Sequence, residues 1–258
     1  MYIFNPMLIN PAVAGSEYFH EIKVGYRNQW MGLKNSETGE SVAPRTFYLS
    51  GHGHIGQHIG PNRGRSRYEK FRHHGIGGII TNDEFGPFNT LSAYLVYAYN
   101  LMLSEYVNIS FGAGVGMQQW RLDGSKLLFA ADGSGPQIGT INKTLPDANI
   151  GGWLQAKNYF IGFSTHQIFQ NQFNLLPRSA GESSQNKLNV HYFLYTGYNV
   201  KVHEQLVFVP SILLKYVNPV PLAVDLNCKM KYSLLKEKKD EENHEIWGGI
   251  SYRHQDAP

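Results

Sequence analysis

Residues Val107–Gln118 alternate strictly between apolar side chains and small or polar ones. Because successive side chains of a strand point to opposite faces, this period of two predicts a β-strand. The apolar set is Val107, Ile109, Phe111, Ala113, Val115 and Met117, and the opposite set is Asn108, Ser110, Gly112, Gly114, Gly116 and Gln118. Glycine and small polar groups do not form the core of a soluble domain. The pattern therefore favours a strand with lipid on one side and a crowded lumen on the other.

A second two-faced strand follows later in the chain. Its apolar face is Val220, Leu222, Val224, Leu226, Cys228 and Met230, and its opposite face is Ala223, Asp225, Asn227, Lys229 and Lys231. The charges of Asp225 and Lys229 suit a wet or ion-paired lumen. Weaker alternation recurs in Glu21–Trp30, Arg45–Ile55, Gly75–Asn82, Thr90–Leu101, Ala148–Ala156, Tyr159–Gln167, Asn189–Val200, Gln205–Tyr216 and Glu245–Arg253. We predict an all-β fold, a transmembrane antiparallel β-barrel with about eleven strands in this chain.

Composition is compatible with such a barrel. The 258 residues contain no run of about 18 apolar residues, the length that a transmembrane helix needs. Charged residues make up 17%, beside 16 Tyr, 14 Phe and 27 Gly, which suits aromatic girdles and a glycine-lined interior. A net charge of +3 is too small to indicate nucleic acid as a partner. The single cysteine, Cys228, excludes an internal disulfide and is expected to be a small lipid-facing residue.

The two ends of the chain suggest how the barrel is organised. Residues 1–17 precede the first strand and are expected to be an N-terminal periplasmic or plug segment, and residues 18–258 to be the barrel. No secretory signal begins at Met1, so we expect a mature form or part of one. Because bacterial single-chain barrels have an even number of strands, an odd count suggests that the C-terminal strands are missing.

Loop lengths give an orientation when the N-terminus is placed in the periplasm. Short turns at Leu101–Tyr106, Lys157–Asn158 and Val202–Glu204 then face the periplasm. The long loops Met31–Pro44, Leu122–Pro146 and Ile168–Lys187 face outward. Two long charged connections, Gly56–Arg72 and Ser233–His244, fall on the periplasmic side against this rule. Either the number of predicted strands is wrong by one, or the periplasmic side of the barrel carries a surface that binds a partner.

Several stretches carry a resemblance to a known family. They are Asn10-Pro11-Ala12-Val13-Ala14-Gly15-Ser16, Tyr26-Arg27-Asn28-Gln29-Trp30 and Asn82-Asp83-Glu84-Phe85-Gly86-Pro87-Phe88-Asn89, followed by Leu188–Tyr192, Pro210–Tyr216 and Gly249–Arg253. Taken in order along nearly the whole chain, they resemble the PorP/SprF family. The chain departs from the family at its end, where members usually continue for several more strands.

The resemblance implies an outer-membrane β-barrel of the type IX secretion system of Bacteroidetes, related to the FadL transporter group and about fourteen strands in size. Such proteins often hold a particular secreted cargo protein at the cell surface. Some are associated with gliding motility, and one with the periplasmic ring and a peptidoglycan-binding protein of the machine. Outer-membrane lipid is the remaining expected partner. None is known as an enzyme.

Three groups of residues are candidates for partner binding. Asn10, Pro11 and Gly15 either pack a plug or dock a partner. Arg63, Arg65, Arg67 and Arg72 either belong to a solvated loop or contact acidic lipid or protein, and our hypothesis is that they meet the periplasmic ring. Apolar residues of the two longest external loops, among them Phe129, Phe169 and Phe173, either bind the exported protein or fold inward to close the lumen.

No residue pattern indicates catalysis, a cofactor or a metal site. His52 and His54 lie on one face of a strand, with His58, His73 and His74 nearby in sequence, but no carboxylate or cysteine completes a ligand set, and polar lining is the preferred interpretation.

The main functional hypothesis is a non-enzymatic docking or anchoring barrel. The alternative is a diffusion channel or a FadL-like transporter of hydrophobic solutes, which requires an open passage. A soluble β-sandwich fits less well, because two-faced strands would expose too much apolar area.

Overall fold

The structure, a computed structural model, describes residues 2–17, 19–34, 39, 42–55, 72–104, 106–124, 139–172, 187–203, 205–234 and 245–254. Two 3-10 turns, Pro6–Leu8 and Pro11–Val13, come first, and twelve strands in one sheet follow. The strands are β1 (Glu21–Asn28), β2 (Arg45–Ile55), β3 (Arg72–Phe85), β4 (Phe88–Ser104), β5 (Val107–Leu122), β6 (Ile141–Gln155), β7 (Tyr159–His166), β8 (His191–Tyr198), β9 (Val200–His203), β10 (Leu206–Val217), β11 (Val220–Ser233) and β12 (Glu245–His254).

The sheet is an antiparallel meander in which each strand pairs with the next along the chain. The one deviation is β9, a four-residue piece that continues β8 beyond Asn199 and also pairs with β10. The predicted all-β antiparallel fold is confirmed. The predicted number of about eleven strands is confirmed, since eleven strands follow one another across the sheet; β9 is a short twelfth piece that begins at the last residue of the predicted strand Asn189–Val200 and extends into the predicted turn Val202–Glu204. Among the described residues, no helix has the length and apolarity that crossing a membrane requires.

Because the strands alternate in direction, the connections fall into two groups at opposite edges of the sheet. We call the edge at which β1 begins the N-terminal rim, and the other edge the distal rim. Residues 56–71, 105–106, 156–158, 204–205 and 234–244 connect strands at the N-terminal rim. Residues 29–44, 86–87, 123–140, 167–190 and 218–219 connect them at the distal rim.

Burial on β5 and β11 is inverted relative to a strand of a soluble protein. On β5, the side chains of Phe111 and Val115 are 62% and 61% exposed, whereas Ser110 is fully buried. On β11, Leu226 is exposed and Asp225 is fully buried. The two faces predicted from alternation are therefore confirmed. An apolar face of this extent, with polar groups inside, is stable where lipid replaces water around the sheet.

The sheet curves so that its first and last strands approach each other. Lys23 Nζ of β1 lies 5.9 Å from the centroid of the Trp247 ring of β12. The described strands show no backbone pairing between β1 and β12. The wall thus surrounds a lumen, with an opening between its two edge strands.

Several strands extend farther than their alternation predicts. The predicted loop Leu122–Pro146 is shorter, because Ile141–Pro146 already belongs to β6. Arg72, predicted to end a loop, is the first residue of β3. Both extensions lie near a rim, where a strand no longer needs an apolar face, so the sequence signal that marks the lipid-facing part is missing.

Candidate functional site

The N-terminal segment (residues 2–17) crosses the lumen. Each of its 3-10 turns begins with a proline, whose fixed φ suits a first helical position. The Asn10 side chain accepts a hydrogen bond from the Ala12 amide at 3.0 Å and so caps the second turn. Gly15 has φ of +65°, a conformation that favours glycine, and lets the chain leave the turn. Asn5, Met7, Asn10, Pro11, Ala12 and Ala14 are all buried.

Glycines on the inner face make room for this segment. A Cβ atom on Gly112 of β5 would lie 2.4 Å from the Ala12 amide nitrogen, and one on Gly75 of β3 would lie 2.0 Å from the Ala14 carbonyl oxygen. Both neighbours are backbone atoms and cannot rotate away. Only glycine therefore allows the segment to approach the wall so closely at these positions.

Hydrogen bonds join the middle of the segment to several strands. The Asn10 side-chain amide donates to the Gly152 carbonyl of β6 at 3.0 Å. The Asn5 amide donates to Ser50 Oγ of β2 at 2.6 Å. The Ile9 carbonyl lies 2.8 Å from His166 Nε2 of β7 and also accepts from the Ser164 hydroxyl. These contacts satisfy polar groups that would otherwise be buried without partners.

The end of the segment is held at Gly15 by two histidines. The Gly15 amide donates to His52 Nδ1 at 3.3 Å, and the Gly15 carbonyl lies 2.8 Å from His73 Nε2. Because His52 Nδ1 accepts, its proton is on Nε2, which lies 3.0 Å from Glu21 Oε2. Lys23 Nζ is 2.7 Å from the other oxygen of Glu21. The histidines predicted as polar lining thus hold the backbone of the segment.

The start of the segment is held by a charged cluster. The Tyr2 hydroxyl donates to Asp225 Oδ2 at 2.5 Å. Asp225, fully buried, also pairs with Lys215 Nζ at 2.5 Å and with Arg253 Nε at 2.8 Å. Burial, and then the adjacent Asp225 carboxylate, raise the pKa of Tyr2 above its ordinary value, so its hydroxyl stays protonated and donates. The ion-paired lumen predicted at Asp225 is confirmed.

Among the described residues, two spaces lie beside the segment. A cavity of about 320 Å³ lies toward the N-terminal rim and is lined by charged and aromatic side chains, among them Lys23, Lys229, Trp153 and Trp247, together with Phe4 of the segment. A smaller groove of about 220 Å³ opens at the same rim beside Ser16 and Glu17. No group of three or more His, Cys, Asp or Glu side chains is arranged as a metal site among the residues whose positions are described.

The candidate residues from the sequence that the structure describes lie in three different places. Asn10, Pro11 and Gly15 pack against the inner wall, and docking of a partner by them stays a prediction. Arg72 is exposed at the start of β3. Phe169, 56% exposed, follows β7 at the distal rim. Arg63, Arg65, Arg67, Phe129 and Phe173 lie outside the described residues.

The sequence does not indicate that Tyr2 and Asn5 hold the segment. Tyr2 contacts Asp225 only because the sheet curves, since more than 200 residues separate the two in sequence. The glycines of the inner face can be seen in the sequence, but no residue near them indicates that they contact the N-terminal segment.

Comparison with protein families gives a match over nearly the whole chain. The family model described as type IX secretion system membrane protein PorP/SprF matches residues 1–257. No curated protein matches the chain.

Proposed function

Since the chain belongs to the PorP/SprF family of type IX secretion system membrane proteins, we propose that it is a non-enzymatic docking barrel of the bacterial outer membrane. In this proposal the distal rim holds an exported protein at the cell surface. The N-terminal rim faces the periplasm and meets the ring and peptidoglycan-binding components of the machine. The N-terminal segment acts as a plug.

The observation that carries the proposal is the position of the N-terminal segment across the lumen. A channel or transporter needs a continuous path between the two rims. The segment is bonded to β2, β6, β7 and β11, and it approaches the wall at β3 and β5 as closely as glycine permits. Because the segment fills the lumen, the surfaces through which the barrel can bind other proteins are its two rims.

Loop lengths support the orientation. At the distal rim, three connections, residues 29–44, 123–140 and 167–190, are long, as external loops usually are. The connections 105–106, 156–158 and 204–205 at the N-terminal rim are short, as periplasmic turns usually are. The long connections 56–71 and 234–244 remain exceptions at the N-terminal rim, and we assign them to contact with periplasmic partners.

A photo-crosslinking amino acid at Phe169 tests the docking step in cells. Phe163 is the matched control, because it is 51% exposed on the outer, lipid-facing side of β7, close to Phe169 in sequence. We expect the probe at Phe169 to capture a protein that reaches the cell surface only when type IX secretion works, and the probe at Phe163 to capture lipid. Capture of the same proteins at both positions, or of none at Phe169, would contradict docking at the distal rim.

The cavity of about 320 Å³ is the observation that favours the alternative, a diffusion channel or FadL-like transporter. A cavity of this size is large enough to hold a small solute. However, Ile3, Phe4, Pro6 and Val13 of the segment form part of its lining. Passage beyond the cavity would require the segment to move, so the docking proposal is preferred.

A further inference from the structure

The outer face of the sheet changes from apolar to polar where β3 and β4 reach the N-terminal rim. Ile76 and Ile80 of β3 are 49% and 44% exposed on this face. Arg72 and His74 continue the same alternation toward the rim, and both are exposed. A cation and an imidazole thus lie at the border of an otherwise apolar, lipid-facing surface.

Two tyrosines of β4 orient the His74 ring. The Tyr97 hydroxyl lies 2.6 Å from His74 Nδ1, and the Tyr99 ring centroid is 5.5 Å from that of His74. When the Tyr97 hydroxyl donates to Nδ1, the ring proton is on Nε2. In that tautomer His74 presents an N–H donor on the nitrogen that does not face Tyr97.

The spacing of Arg72 and His74 suits a shared anion. Two residues apart on one face of a strand, they are separated by about 6.6 Å along the strand. The long guanidinium side chain easily spans this distance. A phosphate group accepts two parallel hydrogen bonds from a guanidinium and has a further oxygen for the imidazole N–H.

The surroundings of this pair indicate what carries the phosphate. Tyrosines concentrate at the level of lipid head groups, and Tyr97 is 51% exposed beside the pair. Leu103 and Phe111, 59% and 62% exposed, extend the apolar surface next to it, where an acyl chain would lie. We propose that Arg72, His74 and Tyr97 form a binding site for the phosphate group of a membrane lipid at the N-terminal rim.

At the distal rim, the same outer face carries another arginine that can be compared with Arg72. Arg45 of β2 is exposed there, but its register partner on β3 is Glu84, a carboxylate that competes with a lipid phosphate. The register partner of Arg72 is Leu101, which offers no charge. Arg45 is therefore the matched control: the same residue type, on the same face, at the opposite end.

Native mass spectrometry of the purified full chain tests the site with three added lipids. Phosphatidylglycerol and lipid A both carry phosphate and represent the phospholipids and the lipopolysaccharide of an outer membrane, whereas diacylglycerol carries none. We expect Arg72→Gln with His74→Gln to lower retention of a phosphate-bearing lipid by about fivefold to tenfold, because one interfacial cation contributes a factor of about five and the imidazole N–H adds one hydrogen bond. Retention of diacylglycerol stays unchanged, and the phosphate lipid that is lost identifies the source.

Two results would overturn the site. One is equal retention of both phosphate lipids by the double variant and the unaltered chain, and the other is an equal loss with Arg45→Gln. If the double variant does not fold, Tyr97→Phe replaces it, since the ring remains and only the hydroxyl that orients His74 is removed. It should lower retention by about threefold, and unchanged retention would again overturn the site. Because only purified protein and lipid are used, failure of the docking proposal leaves this result unaffected.

Discussion

The hydroxyl of Tyr2 donates a hydrogen bond of 2.5 Å to Asp225 Oδ2 and so ties the first described residue of the chain to β11. Asp225 is held in turn by Lys215 and Arg253 from the two neighbouring strands. The same small cluster therefore joins three strands of the wall and the start of the plug. Loss of this cluster should destabilise both the wall and the plug.

Removing the Tyr2 hydroxyl should loosen the plug without unfolding the barrel. Tyr2→Phe loses one hydrogen bond to a charged group, at a cost of about 1.5–3 kcal/mol. Asp225→Asn should cost more, about 3–5 kcal/mol, because two cations then lose their buried counter-ion. Thermal unfolding of the purified chain measures both. Tyr26→Phe is the control, since Tyr26 is 64% exposed on the outer face; an equal effect of Tyr2→Phe and Tyr26→Phe would contradict the contact.

Adding a methyl group to the inner wall should displace the plug. The Cβ of Gly112→Ala would stand 2.4 Å from the Ala12 amide nitrogen, whereas the atoms nearest to a Cβ on Gly152, on the outer face of the adjacent strand, are 4.0 Å away. We expect Gly112→Ala to lower stability by about 1–3 kcal/mol and to expose residues 2–17 to proteinase K. Gly152→Ala should do neither. Equal protease resistance of the two variants would mean that the segment does not lie against β5.

Part of this arrangement was predictable because it depends on local alternation. The two faces of Val107–Gln118 follow from the strand pleat alone, and the charges of β11 indicated an ion-paired interior at Asp225. Each of these signals is contained in one strand. They are therefore readable without knowing which strands are neighbours.

Other parts were not predictable for physical reasons. The sequence predicts a loop at the start of β6, because Asn142, Thr144 and Pro146 form its outer face there and no apolar face marks it. It also predicts a loop at Arg72, because this residue ends a basic run. The close approach of Ala14 to Gly75 depends on contacts between distant parts of the chain, which no local pattern encodes.

The basic connection at the N-terminal rim should determine contact with the periplasmic ring. Changing Arg63, Arg65 and Arg67 together to Ser removes charge that steers association with an acidic partner, so less ring should be recovered with the protein, and most clearly at low salt. Arg72→Ser is the control, because Arg72 lies on the outer face of β3 and is assigned to lipid. Affinity purification followed by mass spectrometry measures recovery. Undiminished recovery with the triple variant would remove this connection from the proposed interface.

The most direct test of the central claim is conductance in a planar lipid bilayer. If the barrel acts through its rims and residues 2–17 close its lumen, the full chain should give no steady current. A folded variant without residues 2–14 should conduct, because the contacts at Gly112 and Gly75 are then vacant. A steady open-pore current from the unaltered chain would contradict the account and favour the channel.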